Sequence, residues 1–213
     1  MKNLPKSKVF KIIDSIPLKE HHTISKSLSN NADLDFMLFS LAKDTDISKE
    51  HYNNQSIFYV LKGSINILDK FIKEDNIFIT PKESLRGVST KEDSVYLEIS
   101  FNGDDFMKNI EKGQVINLKD QIDYIYGGIS NLDIVSKDGI KIMLMAFDKG
   151  EGLSDHAAPG DAMVIALEGS ADLKVGDEIH EIKAGEQLVF PKNITHNVFA
   201  KEKFKMALIL VRD

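Results

Sequence analysis

Cysteine is absent from this 213-residue chain, which removes disulfides, thiol nucleophiles and zinc–thiolate sites from consideration. There is no surplus of positive charge: 27 Lys and Arg stand against 33 Asp and Glu, a net charge of −6. A broad nucleic-acid surface needs a positive field, so that function class is set aside. Long apolar runs are also missing. Residues 142–147 and 206–211 are apolar, but they have strand length and fall far short of a bilayer span. The basic opening MKNLPKSKVFKIIDSIPLKE is followed by no apolar stretch of the kind a secretory signal carries. The expectation is a cytoplasmic protein with no membrane partner. A Ser-His-Asp array, a P-loop and a dinucleotide-binding fingerprint are all lacking.

What is present is a repeat. The first copy reads VLKGSINI, then EDNIFITPKESLRGV, with Gly63 and Pro81; the second reads ALEGSADLKVGDEIHEIKAGEQLVFPKNITHNV, with Gly169 and Pro191. Gly-Ser follows a β-like run in both, and a second β-rich run ends at Pro in both. Gly63 to Pro81 spans 18 positions and Gly169 to Pro191 spans 22, so the first copy has the shorter hairpin. The second copy turns at Gly176-Asp177, and the first must turn near Asp69-Lys70. Upstream, residues 36–41 correspond to 142–147, and Ile24-Ser25 roughly to Ile129-Ser130; downstream, 95–101 correspond to 205–211. The period of 106 residues is too long for a solenoid unit and reads as a duplicated domain. Short runs of Val, Ile, Leu and Phe punctuated by Gly, Asp, Asn or Pro predict antiparallel strands in a sandwich or barrel. The division is 1–102 for an N-terminal barrel, 103–126 for a polar linker and 127–213 for a C-terminal barrel. A short helix is expected around 105–111, and the two barrels are expected to pack on each other.

The second copy carries His156-Ala157-Ala158-Pro159-Gly160-Asp161, then Gly169, then Gly185, Pro191 and His196. Gly150, His156 and Gly169 have the spacing of the first motif of the cupin superfamily, and Gly185, Pro191 and His196 that of the second. Several fixed spacings agree at once, so the chain resembles a bicupin. The resemblance implies an all-β fold of two tandem double-stranded β-helix, jelly-roll-like barrels. It extends to a group of bacterial cupin-domain proteins of undefined function. In metal-binding cupins the first motif supplies three ligands and the second one. Here His156 and His196 stand at two of those positions, while Ala158 and Ala162 stand at the others, with Asp161 one residue off. Neighbours on a strand face opposite ways, so Asp161 and Ala162 cannot both face the lumen without a bulge.

In the first copy, Glu50 takes the position of His156, Arg86 that of His196, Tyr52 that of Ala158 and Ser56 that of Ala162. A fixed guanidinium disfavours a divalent cation. The expectation is that Glu50 and Arg86 face each other as an ion pair; a structural relic and an anion-binding role for Arg86 are both open.

The candidate ligand-binding set is therefore His156, Ala158, Asp161, Ala162, Val164 and His196 in the C-terminal barrel. His156 and His196 are the candidate metal ligands for one divalent ion, or a general acid and base near neutral pH. The plainer reading is that each is a partly buried histidine bonded to the backbone. Asp161 either orients His156 or stabilises the Pro159-Gly160 turn. Ala162, Val164 and Ala166, with Met143 or Met145, would line an apolar lumen. His180, His21, His22 and His51 read as surface residues. Two functions follow. One is a small-molecule-binding protein of undefined specificity. The other is a metal-assisted dioxygenase or isomerase using His156 and His196; a metal-free sugar epimerase is weaker still. A homodimer is left open.

Overall fold

A computed structural model of the protein describes residues 1–29, 34–101 and 108–212. In chain order the strands are β1 (Val9–Phe10), β2 (Thr23–Ser27), β3 (Leu34–Leu41), β4 (Asp46–Tyr52), β5 (Gln55–Lys62), β6 (Ser64–Ile67), β7 (Lys70–Lys73), β8 (Asn76–Ile79), β9 (Ser84–Ser89) and β10 (Ser94–Phe101). They continue as β11 (Val115–Asn117), β12 (Ile129–Lys137), β13 (Ile140–Phe147), β14 (Gly152–His156), β15 (Asp161–Glu168), β16 (Ser170–Val175), β17 (Glu178–Lys183), β18 (Gln187–Phe190), β19 (His196–Ala200) and β20 (Phe204–Val211). In the first barrel a six-stranded sheet, β11-β8-β5-β10-β3-β2, faces a four-stranded sheet, β4-β9-β6-β7. In the second, β1-β18-β15-β20-β13-β12 faces β14-β19-β16-β17. The expected fold, two tandem double-stranded β-helix barrels, is the one observed.

Period-two alternation decides what each strand buries. Along β15, Ala162, Val164 and Ala166 point into the second barrel, while Met163 and Ile165 point outward. Along β5, Phe58 and Val60 point into the first barrel, while Ile57 and Tyr59 point outward. The outward faces of the two large sheets meet. Leu97 and Ile99 of the first barrel share one buried cluster with Ile142, Leu144, Ile165 and Ile209 of the second. Each such side chain contributes about 1.5–3 kcal/mol by leaving water, so the contact between barrels is a core in its own right.

The duplication starts earlier than the sequence shows. β1 joins the second barrel by pairing with β18, and β11 joins the first by pairing with β8. A short 3₁₀ turn follows each arm, at Ile12–Ser15 and Leu118–Gln121. Each barrel thus lends an N-terminal arm to the other, and the sheets do not follow the divisions at 102 and 126. The β6–β7 hairpin turns at Leu68-Asp69, one residue before the expected place, with φ of 47° and 60°. The β16–β17 hairpin turns at Gly176-Asp177 as expected and has arms of six residues against four. Gly63 and Gly169 are equivalent, with φ of 71° and 72°. A Cβ there would lie 2.6 Å from the Asp93 carbonyl oxygen or 2.0 Å from that of Lys203, so only glycine fits. Of the helix expected around 105–111, residues 105–107 lie outside the described residues, and 108–111 form no helix. Among the described residues no helix is long and apolar enough to cross a membrane.

Candidate functional site

The mouth of the second barrel is built where β14 meets β19. The pairing slips between Leu153 and His156, and this bulge sets His156 opposite His196. Their ring centroids lie 4.5 Å apart. His196 is buried and shares the inward face of β19 with Val198 and Ala200. Phe190, at the end of β18, stacks on its ring at 4.1 Å. His156 is exposed. Nδ1 of His156 lies 2.9 Å from the Ser154 carbonyl oxygen, and Nδ1 of His196 lies 2.8 Å from that of Ile194. A carbonyl only accepts, so Nδ1 carries the proton in both rings. Nε2 is then the lone-pair nitrogen that each neutral ring offers a ligand. Burial holds the His196 pKa below its usual value; the bond to Ile194 opposes that, and the charge of His156 adds to it.

Ala162 and Val164 lie in the lumen below this pair, as expected, and half-buried Ala158 packs against the same cluster. The lumen is not an open bowl lined by small residues. Met145, Phe147, Leu173, Phe190 and Met206 fill it, so only the mouth remains accessible. Asp161 does not join the site. As the neighbour of inward-facing Ala162 it points the other way and is bonded to the Met1 ammonium, to Lys6 Nζ at 2.6 Å and to the Lys192 backbone N–H at 3.0 Å. It neither orients His156 nor acts as a ligand beside it. Burial pushes its carboxyl pKa up, and these donors more than reverse that, leaving it lowered.

The donor set is small for a metal. Among the described residues no group of three or more His, Cys, Asp or Glu is placed to hold an ion. Two imidazoles are fewer than the three or four protein ligands of a tight divalent site, and Ala158 and Ala162 supply none. The residues present do not fit a resident metal.

In the first barrel, Glu50 and Arg86 are partners across β4 and β9, beside the same bulge, here between Ile47 and Glu50. The positional equivalence read from spacing is therefore geometric. The expected ion pair is not made. Glu50 is exposed, whereas Arg86 is 2% exposed and turns to uncharged oxygens of Asn54, Ser56 and Ser84. The acid that senses Arg86 from inside the barrel is Glu98 on β10, which sequence reasoning missed. Its signal was alternation: Tyr96, Glu98 and Ser100 share the inward face of a strand whose other face is Val95, Leu97, Ile99 and Phe101.

Residues 143–212 match the cupin domain family. A solved cupin 2 conserved barrel domain protein from Leptotrichia buccalis is 30% identical, with a TM-score of 0.86, over 98% of this chain and 98% of that one. A conserved protein of unknown function from Streptococcus pyogenes is 29% identical over 53% of this chain and 98% of that one, with a TM-score of 0.50. Salicylate 1,2-dioxygenase from Pseudoaminobacter salicylatoxidans shares the fold alone. It is 11% identical over 99% of this chain and 83% of that one, with a TM-score of 0.63. No curated protein matches the chain. With both barrels, both motif spacings and a full-length relative in agreement, the chain belongs to the cupin superfamily.

Proposed function

We propose that this cupin binds a small molecule at the mouth of its second barrel, against His156 and His196. The observation that carries this reading is the convergence of the two rings at 4.5 Å, with both Nδ1 atoms committed to backbone carbonyls. Two Nε2 acceptors beside the Phe190 face suit a partly apolar ligand that carries hydrogen-bond donors. Burial keeps His196 neutral near pH 7, which preserves its acceptor. The apolar lumen below excludes water from the inner side of the pair.

The test is a thermal-shift screen of soluble metabolites on tag-free protein, paired with metal content by plasma mass spectrometry. Ligands that stabilise the wild type and fail to stabilise His156→Ala and His196→Ala are expected. Ligands that stabilise all three equally would overturn the reading. Near-stoichiometric metal, lost in both variants, would replace it with a metal-assisted dioxygenase or isomerase.

A further inference from the structure

The first barrel has its own polar end, at the position that the histidine pair occupies in the second. Arg86 lies at its centre. Its Nη1 donates to the Asn54 carbonyl oxygen and to Ser84 Oγ, both at 3.0 Å; its Nη2 donates to Asn54 Oδ1 at 3.2 Å and to Ser56 Oγ at 2.7 Å. Every one of these acceptors is uncharged. The Tyr52 ring covers the guanidinium at 4.2 Å, and Nε is buried with no protein acceptor. The Tyr96 hydroxyl is likewise buried without a partner, and it shares Tyr52 and Glu98 as titratable neighbours with Arg86.

Glu98 does not neutralise this charge directly. Its carboxylate accepts from Ser100 Oγ at 3.1 Å, and Ser100 Oγ meets Ser56 Oγ at 2.6 Å; Ser56, which also bonds to Glu98, stands between acid and guanidinium. Burial raises the Glu98 pKa, against the pull of its hydroxyl bonds and of Arg86. A buried guanidinium whose direct acceptors are all uncharged leaves a positive site. Four of the five guanidinium N–H groups meet neutral oxygens, and the Nε–H is left to offer.

We propose that the polar end of the first barrel is a second binding site, for a small monocarboxylate recognised by Arg86. The remaining donors, Arg86 Nε and the Tyr96 hydroxyl, are few and sit among the rings of Phe39, Phe58 and Tyr52. A singly charged, planar anion with two oxygens fits such a setting; a phosphate, with more oxygens to satisfy and a second charge near Glu98, does not. Half-buried Tyr52 and Asn54 form the side open to solvent. This site is independent of the histidine pair and does not rest on the function assigned to it.

The test follows the Arg86 Nε–H resonance in nitrogen-15 spectra of the full chain during titration with sodium formate and sodium acetate. Sodium chloride at matched ionic strength is the control. A saturable shift with the carboxylates, absent with chloride, is expected. Arg86→Lys should weaken the carboxylate affinity by about tenfold or more, because a lysine lacks the planar fork. The His156→Ala, His196→Ala double variant should bind formate as the wild type does. A linear or absent shift overturns the proposal, as does an equal response to chloride, which would mark an adventitious ion only. Since the titration reads the wild-type chain, it decides the matter even where Arg86→Lys fails to fold.

Discussion

Glu50 and Arg86 stand opposite each other across β4 and β9, yet the guanidinium leaves the carboxylate and binds neutral oxygens inside the barrel. The equivalent partners in the second barrel, His156 and His196, do turn toward each other. One backbone arrangement thus serves two chemistries. In the first barrel a fixed cation fills the inner position; in the second two imidazoles share the mouth.

A double-mutant cycle tests the first arrangement. Arg86→Met should lower stability by about 2–3 kcal/mol, because it strips a charged donor from buried Ser56 and Ser84 and from Asn54. Glu50→Gln on the exposed side should change little. The coupling between the two should stay under about 0.5 kcal/mol, whereas Arg86→Met combined with Glu98→Gln should exceed that. Urea unfolding of the single and double variants measures both couplings. A large coupling to Glu50 would restore the ion pair that the register alone suggests.

The buried ring of His196 makes stability depend on pH. Its folded-state pKa is lowered by burial, against the bond to Ile194, with the charge of His156 adding to the lowering; unfolded, it titrates near about 6.5. Between the folded and unfolded values the unfolded chain binds more protons, so stability falls as pH falls. The contribution of His196 is present above about pH 6.5 and is lost as pH drops through the folded value. Denaturant unfolding across that range should show this fall in the wild type and a shallower one in His196→Gln. Equal slopes would mean that another group carries the proton.

The repeat, the barrels and the inward set of Ala162, Val164 and His196 were legible because spacing and alternation are properties of the sequence. What was not legible came from contacts distant in the chain. The partners of Asp161 include Met1 and Lys6, which lie across 160 and 155 residues of sequence. The arms at Val9–Phe10 and Val115–Asn117 are two and three residues long, too short to carry a period, so their exchange between barrels leaves no local signal. Glu98 was readable in principle as a polar residue at an inward position of an apolar strand, but no motif drew attention to it. The filled lumen was unreadable because alternation says which way a side chain points and not whether its neighbours leave room.

Asp161 is a structural anchor, and its removal should show it. The carboxylate is buried and holds the Met1 ammonium and Lys6 against the second barrel. Asp161→Asn should cost about 3 kcal/mol, as for a buried pair that loses one member. Its pKa is pushed up by burial and brought below the usual carboxylate value by its donors. The stabilisation is therefore complete above about pH 4, the unfolded value, and is lost as pH falls through the folded one. Ligand binding at the histidine pair should survive the substitution once the protein is folded. Loss of binding in a folded Asp161→Asn protein would return this residue to the site.

The shared core makes a last prediction about cooperativity. Ile165 is 1% exposed and lies on the outward face of β15 against residues of the first barrel. Ile165→Ala should destabilise by about 2–5 kcal/mol through lost burial and the cavity left behind. The exchanged arms tie each barrel to the other's large sheet, so neither barrel keeps its full sheet when the other unfolds. The wild type and Ile165→Ala should each unfold in one transition, with fluorescence of the first-barrel tyrosines and amide exchange in the second barrel reporting the same midpoint. Two separated transitions in the wild type would show that the barrels fold as independent units and that the interface between them is secondary to their stability.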